Sequence, residues 1–165
     1  MMSINRQSEV EEIPVHIGDI ALGCDGQKLS AILGSCVSVV LVDTDQARFT
    51  MSHSLLPEQT DQSDTPSARW VDQAVILGLE LLDVPTNRYR RLQAYVAGGA
   101  CMMEMSGDDP LRVGDLNVAV ALASLQQYRI PVISQHVGGT NGRRIVYCGE
   151  SQSCQISTIP RSVWA

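Results

Sequence analysis

The sequence predicts an α/β domain built mainly on antiparallel strands. Val37, Val39, Val40 and Val42 form a β-branched run, followed by the polar turn Asp43-Thr44-Asp45-Gln46 and a second strand-like stretch over 48–55, which is the pattern of a hairpin. Two other stretches, about 67–82 and 113–129, repeat apolar residues at helical spacing. Further short apolar runs at 92–96, 132–137, 145–148 and 155–159 are bounded by Gly, Pro or Asn and read as strands.

In chain order, residues 1–12 are polar, with Glu9, Glu11 and Glu12 close together, and are expected to form a flexible tail. Residues 13–165 are expected to form one domain. A first strand over 15–21 leads through the turn Asp25-Gly26 into a strand at 28–33. Thr65 with Pro66 supplies a helix start, and Val71, Ala74, Val75, Gly78, Leu81 and Leu82 mark the buried face of the first helix. Trp70, at its head, is expected to pack against the sheet. Gly98-Gly99 after the 92–96 strand permits close approach of another backbone. Leu116, Val120, Ala123 and Leu125 are the buried candidates of the second helix, which Ile130-Pro131 ends. Asn141-Gly142 is the favoured pair for a type I′ turn, so 138–144 reads as a hairpin connection; it lacks the spacing of a phosphate-binding loop.

Composition narrows the function classes. The chain has 165 residues, 44% of them hydrophobic and 18% charged, enough for a core without covalent staples. Its net charge of −6 argues against nucleic acid or anionic lipid as a partner, and the pair Arg143-Arg144 reads as a solvated face. Five cysteines, at 24, 36, 101, 148 and 154, leave one over after pairing and offer no C-x-x-C spacing, so reduced thiols and no zinc site are expected. No apolar run approaches a membrane span, and no secretory leader is visible in the first residues. A cytoplasmic protein without membrane insertion is the expectation.

The chemistry concentrates between residues 29 and 57. A turn centred between Thr44 and Asp45 would place Cys36 directly opposite His53, with Ser38 facing Met51 and Val40 facing Phe49. Opposite side chains in an antiparallel pair lie close enough for thiol and imidazole to meet, and an imidazole generates the nucleophilic thiolate. Gly34 lets a substrate approach closely. Ser30, six residues before the thiol, offers a hydroxyl to the second imidazole nitrogen, which would fix the tautomer. Both Cys and His are also common as buried packing residues, and the spacing alone leaves that reading open.

The segments Leu33-Gly34-Ser35-Cys36-Val37-Ser38-Val39, Met51-Ser52-His53, Leu55-Leu56-Pro57 and Arg69-Trp70-Val71-Asp72-Gln73-Ala74-Val75 resemble the chemoreceptor glutamine deamidase family (CheD) of bacterial and archaeal chemotaxis. So do Ala97-Gly98-Gly99-Ala100, Val113-Gly114 with Asn117, and Val137-Gly138-Gly139 with Gly142-Arg143. The likeness runs in order from about residue 15 to 159. It implies a layered α/β sandwich related to deamidating-toxin cysteine hydrolases, with Cys36 as nucleophile, His53 as base and Ser30 where the family usually has Thr. It also implies oxyanion or substrate contacts at Gly34, Ser35, Thr140 and Asn141, and no metal or organic cofactor. The implied substrates are glutamine side chains of methyl-accepting chemotaxis receptors, with receptor methyl esters as a second substrate in some members. A partner-binding loop at Met102 and Met103 would receive a CheC-like phosphatase. The rival reading is a non-catalytic adaptor that docks the phosphatase or receptor.

Overall fold

The computed structural model describes residues 10–62, 65–102 and 112–160. Its elements run β1 (Glu11–Pro14), β2 (Ile20–Cys24), β3 (Gln27–Leu33), β4 (Val37–Asp43), β5 (Arg48–Ser52), α1 (Val71–Leu82), a 3₁₀ segment (Thr86–Arg91), β6 (Gln93–Gly98), α2 (Val113–Gln127), β7 (Val132–Val137), β8 (Gly142–Cys148) and β9 (Ser153–Ile159). The strands form a four-stranded sheet in the order β1-β3-β8-β9 and a five-stranded sheet in the order β2-β5-β4-β6-β7. Most pairings are antiparallel; β1 with β3 and β6 with β7 are parallel. The expected α/β sandwich is the observed architecture.

β4 explains the layering. All seven of its residues are buried, because successive side chains point to opposite faces of a strand and each face is covered. Val40 and Val42 join Leu29, Leu33, Phe49, Met51, Ile145 and Tyr147 in a core between the sheets. Val37, Val39 and Leu41 join Val71, Val75, Leu79 and Leu82 of α1 and Leu125 of α2 in a second core on the opposite side. Two-sided burial makes the run continuously apolar instead of alternating.

Several expectations are corrected. The predicted strand over 15–21 falls mostly on a crossing at 15–19, which leaves β1 in one sheet and enters β2 in the other. Gly18, at φ +87°, makes the bend. Strand β1 takes in Glu11 and Glu12, which were expected in the tail; Ile13 and Pro14 pair with β3, and Glu12 is ion-paired to Arg144. Of the rest of that predicted tail, residues 1–9 lie outside the described residues.

The β4–β5 hairpin pairs Asp43 with Arg48, Val42 with Phe49 and Val40 with Met51, two residues out from the expected register. Asp43 Oδ1 accepts the N–H groups of Asp45 and Gln46 at 3.1 and 3.3 Å, and Ala47 adopts φ +51°. The loop is thereby longer by two residues. Because the slip is even, every side chain keeps its face.

Helix α1 starts at Val71 instead of near Ser67. The Arg69 carbonyl accepts both Leu55 and Leu56 N–H, and Trp70, at φ −103° and ψ 136°, is still extended. Leu81 is 39% exposed, with Leu79 buried in its place. In α2 the buried residues are Gly114, Asn117, Ala121 and Leu125; Leu125 is as expected and Val120 packs at the edge of the core, but Leu116 and Ala123 give way to Gly114, Asn117 and Ala121. Gly99 accounts for this, since a β-carbon on Gly114 would lie 2.6 Å from its carbonyl oxygen. The 138–144 stretch is no hairpin, because β7 and β8 belong to different sheets, and the left-handed residues there are Gly138 and Gly139.

Gly98 has φ +115°, and a β-carbon there would stand 2.1 Å from the Cys36 carbonyl oxygen. Gly98→Ala is therefore expected to destabilise the fold by more than about 2 kcal/mol, read as a lowered urea midpoint with an unchanged slope.

Candidate active site

Cys36 ends the loop from β3 to β4, and His53 follows the last residue of β5. The loop is pinned on its carbonyl side. The Gly34 carbonyl accepts Ala100 N–H and the Cys36 carbonyl accepts Gly99 N–H, both at 2.9 Å. The third carbonyl, that of Ser35, accepts Asn117 Nδ2 at 3.1 Å. Val37 and Ser54 exchange backbone hydrogen bonds at 3.0 and 2.9 Å, which continues the hairpin register beyond its regular strands. In that register His53 stands opposite Ser38 and diagonal to Cys36, on the same face. The expected directly opposite thiol and imidazole are replaced by this diagonal pair, again because the turn is longer by two.

His53 is held by three hydrogen bonds from the 15–19 crossing. Its N–H donates to the Asp19 carbonyl at 2.9 Å and its carbonyl accepts Gly18 N–H at 2.7 Å. The ring Nδ1 lies 2.9 Å from the Val15 carbonyl oxygen. A carbonyl only accepts, so Nδ1 carries the proton and Nε2 presents a lone pair. Nε2 is buried without a hydrogen-bond partner. Here the expectation for Ser30 is corrected, because the ring is oriented by the Val15 main chain and no hydrogen bond joins Ser30 Oγ to it among the described residues. Ser30 sits one step back, its own carbonyl accepting Val15 N–H at 2.7 Å. Strand alternation accounts for this: Leu29, Ala31 and Leu33 face the inter-sheet core, so Ser30 projects from the other face of β3.

Both reactive side chains are buried, Cys36 at 6% and His53 at 4% exposure. Burial raises the Cys36 thiol above its ordinary value, partly offset by a hydrogen bond from its own backbone N–H. Burial likewise lowers the His53 imidazole. The Val15 carbonyl opposes that shift, His16 adds to it, and Asp19 opposes it weakly. The resting pair is a neutral thiol beside a neutral imidazole, with no hydrogen bond between them. Such an arrangement suits a base that takes the thiol proton as attack begins.

The other predicted residues fall around this centre. Met102 lies over Gly34, where a β-carbon would come within 3.2 Å of its Cγ. Met103 lies outside the described residues. Thr140 and Asn141 are exposed on the β7–β8 connection, which is joined to the site through two hydrogen bonds. Cys101 N–H donates to the Gly139 carbonyl at 2.9 Å and Gly138 N–H to the Gly98 carbonyl at 3.0 Å.

Arg143, expected on a solvated face, is 3% exposed. Its guanidinium donates to His136 Nδ1 at 2.9 Å and to the carbonyls of His136, Gly138 and Asn141, and so shapes the loop from inside. Asn117, fully buried, was marked only as part of a family-like segment; no charge or periodicity signals its role. Among the described residues no three His, Cys, Asp or Glu side chains gather as a metal-ligand set, and no helix is long and apolar enough to cross a membrane. A polar cavity of about 250 Å³ lined by Asp43, Arg48, Asp83, Arg88 and Arg91 lies at the far end of β4, roughly 20 Å from the thiol at strand rise.

The two-sheet sandwich thus presents a buried thiol and a tautomer-locked imidazole on one face. The model of the family described as CheD chemotactic sensory transduction matches residues 55–158. The chain is 32% identical to a probable chemoreceptor glutamine deamidase CheD 2 of Ruegeria sp. (strain TM1040), over 93% of this chain and 95% of that protein. It is 35% identical to the chemoreceptor glutamine deamidase CheD of Halalkalibacterium halodurans, over 79% and 82%. To the one from Bacillus velezensis it is 32% identical, over 91% and 92%. This chain belongs to the CheD family.

The buried imidazole has a stability signature. His53 is held below the usual 6.5 in the folded protein, so between that folded value and about 6.5 the unfolded chain binds the extra proton. Stability contributed by the neutral ring is therefore lost as pH falls through that window. Urea unfolding at about pH 7.5 and about pH 5.5 is expected to show a smaller decline for His53→Gln than for the wild type.

Proposed function

We propose that this protein is a chemoreceptor glutamine deamidase that acts in the cytoplasm on methyl-accepting chemotaxis receptors, with Cys36 as nucleophile and His53 as general base. The observation that carries the site assignment is the locked imidazole. With Nδ1 committed to the Val15 carbonyl, the buried Nε2 is left as an acceptor on the face that Cys36 shares.

As the substrate glutamine enters, the Cys36 sulfur bonds to the carboxamide carbon and its proton passes to His53 Nε2. The carbonyl π electrons move onto oxygen, where the Ser35 and Cys36 N–H groups face the developing charge; among the described residues neither donates to a backbone carbonyl. The C–N bond then breaks, and the His53 proton leaves with ammonia. Water, deprotonated by the same Nε2, attacks the thioester, releasing glutamate and restoring the thiol. A receptor methyl ester presents the same carbonyl with methanol as leaving group, so it is a second substrate for this centre. Thr140 and Asn141 border the incoming receptor segment.

Met102 favours a docking role combined with catalysis. It packs on Gly34, so a CheC-like phosphatase seated on the Met102–Met103 loop would cover the nucleophile and compete with receptor.

The test is mass spectrometry of a receptor cytoplasmic fragment incubated with wild-type and variant protein. Glutamine-to-glutamate conversion is expected with the wild type, none with Cys36→Ala, and a rate lower by about 10²–10⁴-fold with His53→Ala. Full activity in either variant would refute the site. Ser30→Ala leaves the Val15–Ser30 backbone bond in place and is expected to change kcat/KM by about threefold or less; a much larger loss would return the orienting role to the hydroxyl.

A further inference from the structure

Asn117 lies 82 residues from Ser35 in sequence, yet its side chain meets the nucleophile loop in the core. Its Nδ2 is 3.1 Å from the Ser35 carbonyl oxygen and 3.1 Å from the Leu55 carbonyl oxygen. Two carbonyls on one side require the NH₂ end of the amide there, which settles the orientation. Both of its N–H donors are used, whereas Oδ1 is buried and has no partner. A buried unpaired amide oxygen costs free energy that an apolar residue would not, so packing alone gives no reason for an asparagine at this position.

The geometry of the peptide supplies one. In a trans peptide the carbonyl of one residue and the N–H of the next point in opposite directions. Fixing the Ser35 carbonyl on α2 turns the Cys36 N–H away from the helix, and that N–H lies against the Cys36 sulfur. The Gly34 carbonyl, bonded to Ala100 N–H, turns the Ser35 N–H in the same manner. The second Asn117 bond, to Leu55, ties this arrangement to the segment that carries His53.

We propose that Asn117 is a positioning residue that aims the Cys36 N–H at the oxyanion formed in acyl transfer. This rests on the deamidase reading of the site. The amide never touches substrate; it sets the direction of a donor that does. A donor aimed in advance stabilises the tetrahedral oxyanion and contributes little to binding the planar amide.

Two reactions at the same sulfur separate this role from general support. Acylation of Cys36 by p-nitrophenyl acetate passes through a tetrahedral oxyanion, whereas alkylation by iodoacetamide displaces iodide at a saturated carbon and forms none. In Asn117→Ala, acylation and receptor deamidation are expected to fall by about 10²–10³-fold, the usual loss for an oxyanion donor. The loss should appear in kcat with KM nearly unchanged, and the alkylation rate should stay within about threefold of wild type. Equal falls in acylation and alkylation, or no fall in acylation, would overturn the proposal. If Asn117→Ala does not fold, Asn117→Ser is judged by the same ratio. A wild-type protein that acylates but leaves receptor glutamines unchanged would defeat the deamidase reading, while the ratio would still decide the role of Asn117.

Discussion

The hydrogen bond between His53 Nδ1 and the Val15 carbonyl is the contact on which the site depends, because it is made where the chain passes from one sheet to the other. On one side of the passage, Val15 N–H is bonded to Ser30 in the four-stranded sheet. On the other, Gly18 and Asp19 are bonded to the His53 backbone in the five-stranded sheet. The imidazole is thus oriented by a segment anchored in both layers. A main-chain carbonyl does not titrate and has no rotamers to lose, so the tautomer it enforces persists at any pH where the ring is neutral.

That neutrality comes from burial. Thiol and imidazole are both pushed toward their uncharged forms, the opposite of a resting thiolate–imidazolium pair. A neutral thiol is a poorer target for adventitious oxidants and electrophiles than a thiolate, and in the proposed mechanism its proton leaves as the acyl group is attacked. In that mechanism, slow resting reactivity and attack at the bound substrate are two aspects of one desolvated environment.

Much of this was legible in the sequence because the carriers were side chains with distinctive chemistry. Cys36 and His53 stood out, and the valine-rich run announced a strand. The hairpin register was off by two because Asp43 capping its own turn and Ala47 in the left-handed region leave no strong mark in a four-residue polar stretch. The even slip cost nothing in facing. The Val15 carbonyl was illegible for a simpler reason: every residue has one. Arg143 and Asn117 were hidden by burial of polar groups against backbone carbonyls, which no hydropathy pattern reveals. The inward face of α2 was misplaced for a related cause, since it is built on Gly114 and Asn117 and depends on close backbone approach more than on apolar area.

The pairing of β3 has a consequence for how the protein is made. This strand lies between β1, which leads into Val15, and β8, where Ser30 meets Val146 more than a hundred residues later. During synthesis Cys36 and His53 emerge early, but the sheet that steadies the orienting carbonyl lacks its inner partner until the last quarter of the chain is available. Pairings of such long separation form late. The nascent chain therefore carries the thiol and the imidazole before the segment that orients the ring is fixed, and their arrangement is completed together with the fold.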